Sequence, residues 1–137
     1  MRVILVAIAA LTLAGSAAAD LAIPFRTPSG NIGCYYVSNR DLNAALRCDI
    51  RSGLKPRPAK PKSCTLDWGD SYELAPTGRA RLTCHGDTAI DPTSLVLKYG
   101  TRWSRGGFTC TSRKIGLRCS NRSGHGFFLS RARSYRF

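Results

Sequence analysis

The chain has 137 residues, 43% of them hydrophobic, and 21 Lys and Arg against 8 Asp and Glu, for a formal net charge of +13. That size suits one domain with a modest core and leaves little room for a second. A chain so basic attracts nucleic acid, lipopolysaccharide, anionic cell-wall polymer or acidic proteins, and its charge opposes a cationic partner such as a lysozyme.

Met1-Arg2, the apolar run Val3 to Gly15 and the small residues Ala17-Ala18-Ala19 read as a secretory leader cleaved after Ala19. The run is shorter than the roughly 20 residues that span a bilayer, and no second long apolar stretch follows, so no transmembrane anchor is expected. The Ala-rich leader is of bacterial type. It predicts a periplasmic or secreted protein whose folded part is a single β domain over residues 20–137.

All 6 cysteines lie beyond the leader, which predicts three disulfides. One grammar occurs twice, in Ile32-Gly33-Cys34 to Leu46-Arg47-Cys48 and in Phe108-Thr109-Cys110 to Leu117-Arg118-Cys119. Each reads as a hairpin closed across an antiparallel pair, where opposed Cα atoms stand about 4.5 to 5.5 Å apart, within disulfide reach. The expected pairs are Cys34 with Cys48, Cys64 with Cys84 and Cys110 with Cys119, although sequence alone leaves other connectivities open. No CxxC pair is present, so no metal site is expected, and nothing in the sequence calls for a cofactor.

In chain order, Leu21 to Asn31 reads as an edge strand ending in a turn. Ile32, Cys34 and Tyr36 then share one face of a strand, and Leu46, Cys48 and Ile50 one face of the next, which sends Arg47 and Asp49 to solvent. Leu66, two after Cys64, and Leu82, two before Cys84, place that cysteine pair on core strand faces as well. Between them Ser52 to Lys62, rich in Pro and Lys, predicts an extended connector. Arg79 and Arg81 point outward from a strand carrying Ala80 and Leu82 inward, and Leu95 to Tyr99 predicts a buried strand. The second cysteine hairpin leads into Gly124-His125-Gly126-Phe127 and the basic, aromatic tail Arg131 to Phe137. No stretch beyond the leader has helical apolar spacing, so the fold expected is all-β, a small disulfide-stapled antiparallel barrel or sandwich.

The segments Phe25-Arg26-Thr27-Pro28-Ser29-Gly30-Asn31-Ile32-Gly33-Cys34, Leu46-Arg47-Cys48-Asp49-Ile50, Cys84-His85-Gly86-Asp87-Thr88, Tyr99-Gly100 and Gly124-His125-Gly126-Phe127 with Ser130-Arg131 run along most of the chain. Together they resemble a family of small exported bacterial proteins, from rhizobial and actinobacterial genomes, known only as a domain of unknown function. The resemblance implies no activity, substrate or catalytic residue.

The residues that could carry function fall into two sets. Lys55, Arg57, Lys60, Lys62, Arg79, Arg81, Arg118, Arg131 and Arg133, with Trp103 as a stacking ring, form the expected surface for an anionic polymer or acidic partner. The two histidines, His85 and His125, could instead act as base and acid on a phosphodiester in a small basic nuclease, if both imidazoles reach one phosphate. Asp87 and Ser130 complete a weaker hydrolase set with no nucleophile elbow. A structural envelope protein without ligand is the third reading. The Gly124-His125-Gly126 turn and the neighbouring arginines are where a site is expected.

Overall fold

The structure, a computed structural model, describes residues 21–38 and 44–137; the expected leader and its cleavage point lie outside them. Among the described residues eleven strands form: β1 (Leu21–Arg26), β2 (Ile32–Ser38), β3 (Ala45–Ile50), β4 (Ser71–Leu74), β5 (Arg81–Leu82), β6 (Leu95–Val96), β7 (Arg102–Arg105), β8 (Phe108–Arg113), β9 (Gly116–Ser120), β10 (Gly126–Leu129) and β11 (Ser134–Arg136). They make two sheets, ordered β5-β4-β3-β2-β1-β6 and β11-β10-β9-β8-β7, and no helix occurs among the described residues. The all-β expectation holds in its sandwich form, since neither sheet closes on itself.

The three expected disulfides are present. Cys34 faces Cys48 across β2–β3 and Cys110 faces Cys119 across β8–β9, each pair with Cα atoms 4.1 Å apart. Each sheet is thus a five-strand antiparallel meander stapled between its second and third strands, with β6 added in parallel beside β1. Counted from the cysteines, Phe25 in the first meander corresponds to Trp103 in the second, and Tyr72 to Phe127. These counterparts meet in the core: Phe25 stacks on Trp103 at 4.8 Å between ring centroids, and Tyr72 lies 5.5 Å from Phe127. Tyr36 and Phe108 close the gap between them edge to face. The alternation of apolar and polar residues creates this layer, because each inward cysteine is flanked two residues away by Ile32, Tyr36, Leu46, Ile50, Phe108 or Leu117, all buried.

Four local expectations need correction. Arg47 and Asp49 are 4% and 2% exposed, because a later loop covers their face of the sheet. Cys64 and Cys84 lie in loops, Cys84 and Leu66 are exposed, and this disulfide ties periphery rather than core. Of Leu95 to Tyr99 only Leu95–Val96 pairs as strand, with Leu95 and Tyr99 exposed and Leu97 buried. Trp103 faces inward, half-buried against the core, rather than outward.

Candidate functional site

The two meanders treat their outer faces differently. Over the first sheet, the loop from His85 to Ile90 lies directly on the strands. Gly33 makes room for it: a Cβ there would stand 2.6 Å from the Ile90 Cα. Asp49 accepts a hydrogen bond from the Ala89 amide at 2.7 Å, and Arg47 donates to Asp49 at 2.9 Å and to the Asp87 carboxylate at 2.8 Å. Ser71 and Tyr35 accept from the same guanidinium. Burial works against the Arg47 charge, but the hydrogen bonds to Asp49 and Asp87 outweigh it and hold its pKa above the ordinary arginine value. The Arg47 bond in turn lowers the pKa of Asp87.

His85 belongs to the same clamp. Its Nε2 lies 2.8 Å from Asp70 Oδ1 and its Nδ1 2.6 Å from the Asp87 carbonyl oxygen. Both partners accept, so the ring satisfies both only when each nitrogen carries a proton. Burial lowers its pKa, yet the bonds to Asp70 and to the Asp87 carbonyl prevail and the net shift is upward.

His125 sits elsewhere. Its amide donates to Asn121 Oδ1, its Nδ1 lies 3.2 Å from the Phe137 carbonyl, and Asn121 Nδ2 donates to the carbonyls of Ala75 and Gly78. Asp70 and Ala75 flank the two ends of β4, a separation of roughly 16 Å at the rise of a strand. The two histidines are therefore anchored toward opposite ends of that strand, and no contact joins them. Ser130 Oγ donates to the Arg133 carbonyl, closing the turn between β10 and β11.

Among the described residues, no loop covers the outer face of the second sheet. Across its strands one row reads Arg102, Thr111, Arg118, Phe128, Tyr135, each opposite the next. Beside it lies a row of hydroxyls, Ser104, Thr109 and Ser120. The first row, with Thr109, Ser120, Arg113 and Arg133, lines a groove of about 490 Å³. The Arg118 guanidinium lies 3.6 Å over the Phe137 ring, and that of Arg133 stands 5.6 Å from Phe128 and 5.7 Å from Tyr135. Stacking of this kind fixes the guanidinium planes and leaves their N–H edges free to bind. Among the described residues, Arg102, Arg113, Lys114, Arg118, Arg131 and Arg133 make no ion pair and no side-chain hydrogen bond. The sequence explains why: no Asp or Glu follows Asp91, so the whole second sheet is without a carboxylate side chain.

The cations expected from sequence thus divide. Arg118, Arg131 and Arg133 lie together on this face or its rim. Lys55 joins the edge of β11 through its backbone, with its carbonyl accepting from the Ser134 amide. Arg57 is used internally, donating to the Trp68 carbonyl, while Lys60 and Lys62 are exposed along the connector. Arg79 is exposed beside the far edge of the first sheet, and Arg81, on that edge in β5, stands 3.6 Å from Glu73. Arg102 and Arg113 were not singled out by the sequence. Their signal is the absence of acids after Asp91 combined with outward strand parity.

The model of a family of unknown function, DUF6636, matches residues 3–137. The chain belongs to that family. No curated protein and no solved structure matches it. The family thus extends over both meanders and assigns no role to either. The three disulfides fit an oxidising compartment, and no helix among the described residues is long and apolar enough to cross a membrane.

Proposed function

We propose that this chain is an anion-binding β module of the bacterial periplasm or exterior, which holds an anionic polymer or acidic partner on the outer face of the second sheet. One observation carries the reading. Arg47 precedes Cys48 and Arg118 precedes Cys119, so the two arginines occupy the same outward place in the two meanders. At the first place the chain supplies its own anions, Asp49 from the neighbouring outward position and Asp87 from the covering loop. At the second place the neighbouring position is Ser120, no loop of the described residues arrives, and the guanidinium rests on Phe137. The first sheet is thus an internally liganded version of a site that the second leaves open.

Cations in cross-strand rows stand about 9.5 Å apart when one strand intervenes, as between Arg102 and Arg118, a spacing that suits repeated anionic groups along a polymer. The adjacent hydroxyls of Ser104, Thr109 and Ser120 add neutral donors. Retention on immobilised heparin tests the reading. Binding should weaken steeply with salt as counterions are released, and Arg118→Ala and Arg102→Ala should each lower the salt needed for elution, whereas Lys60→Ala should change it less. A salt-independent retention, or one governed by Lys60 and Lys62 alone, would remove the second sheet from the role.

A further inference from the structure

The β8–β9 hairpin turns in two residues, Lys114-Ile115, between the paired Arg113 and Gly116. Neither residue has a positive φ, so the turn is of a kind that most residues enter, with the glycine it favours supplied by Gly116, and side chains at its tip bury nothing. Ile115 is β-branched and aliphatic, and at 69% exposure it is the most exposed large apolar side chain among the described residues. Folding gives no reason for it. Its place at the tip, beside exposed cations and aromatic rings, is what points to a contact made outside the chain.

The surroundings indicate which. Ile115, Tyr99 and Phe128 line a cleft of about 470 Å³ beside the first turn of the chain, and Arg113, Lys114, Arg131 and Arg133 stand around it with no carboxylate among the lining residues. Arg113, Ile115, Phe128 and Arg133 also line the groove of the second sheet, so cleft and groove form one surface. The tip cannot fold away from it. A Cβ on Gly116 would stand 2.5 Å from the Leu129 carbonyl and from the Phe128 ring, which shows how closely the hairpin end packs on β10.

We infer that this tip docks on an anionic lipid leaflet, with Ile115 entering the boundary of the acyl region and Arg113, Lys114, Arg131 and Arg133 meeting headgroup phosphates. The inference rests on the anion-binding reading of the second sheet and names its partner as a lipid surface. A soluble polyanion such as nucleic acid uses cations and stacking rings but gives an exposed isoleucine nothing to do. A leaflet uses both. Each basic side chain at an anionic surface strengthens partitioning roughly fivefold, and an inserted aliphatic side chain adds roughly tenfold that salt does not screen.

Sedimentation of the disulfide-bonded protein with vesicles tests this, comparing phosphatidylcholine alone with phosphatidylcholine mixed with phosphatidylglycerol. Binding is expected to the mixed vesicles only. Ile115→Ser should weaken it roughly tenfold while leaving heparin retention and the unfolding midpoint unchanged, and Ile115→Trp should bind with a blue-shifted emission. Vesicle binding that Ile115→Ser does not alter would overturn the insertion. Heparin retention without any vesicle binding would overturn the lipid partner and leave the anion-binding reading standing, whereas loss of both would end the two together. Tighter binding of a single-stranded oligonucleotide than of mixed vesicles, unaffected by Ile115→Ser, would give the surface to nucleic acid instead.

Discussion

Arg47 lies on an outward strand position and is nevertheless 4% exposed, because its charge is matched from two directions, by Asp49 two residues on and by Asp87 from the loop above. Removing one partner of such a buried pair leaves the other charge uncompensated, so Arg47→Met should destabilise the fold by about 3–5 kcal/mol in denaturant titration. A loss no larger than a surface substitution causes would mean that the clamp is not intact in solution. His85 gives the clamp a pH dependence. Its pKa is raised in the folded state above an unfolded value of about 6.5, so its contribution is fully present below that pH and is lost as pH rises through the folded value. The Asp87 pKa is lowered, so its smaller contribution, from an exposed carboxylate, is lost as pH falls through its folded value. Melting temperature should therefore be highest at mildly acidic pH and decline toward alkaline pH, and His85→Gln should flatten the alkaline limb; an unchanged limb would show that another group carries it.

At the scale of elements, the two cysteine hairpins were legible because the period of two places each cysteine among Ile32, Leu46, Phe108 and Leu117 on one face. The fate of the opposite face was not. Alternation says that Arg47 and Arg118 point away from the core, but only a contact 40 residues distant in sequence decides that the first is covered. The Gly33 that seats the loop and the Arg47-x-Asp49 pair were its only local traces. The Cys64–Cys84 pair was correctly joined and wrongly placed, since no strand carries either residue and the leucines two away do not enter the main core cluster as fully buried residues. Exposure of Cys84 gives this bond the readiest access to thiolate attack, while the other four cysteines are 0% exposed. Mild reduction followed by alkylation should label Cys64 and Cys84 first, read by peptide mass, with the core pairs reacting only under denaturant. Simultaneous labelling of all six would mean that the periphery opens only with the whole fold.

For the molecule as a whole, composition revealed the excess of positive charge but not its distribution, because a count has no direction. The basic residues of the connector and of the second sheet looked alike in sequence; strand pairing gathers Arg102, Arg113, Arg118 and Arg133 around one groove and leaves Lys60 and Lys62 on a separate strip. The confinement of every acidic side chain to the part of the chain up to Asp91 has a consequence that acts before any contact is made. With the described carboxylate side chains on one layer and none on the other, the protein carries a permanent electric dipole across the sandwich. In the field of a negatively charged surface that dipole exerts a torque, and within a Debye length of about 8 Å at physiological salt it turns the second sheet toward the surface during the approach.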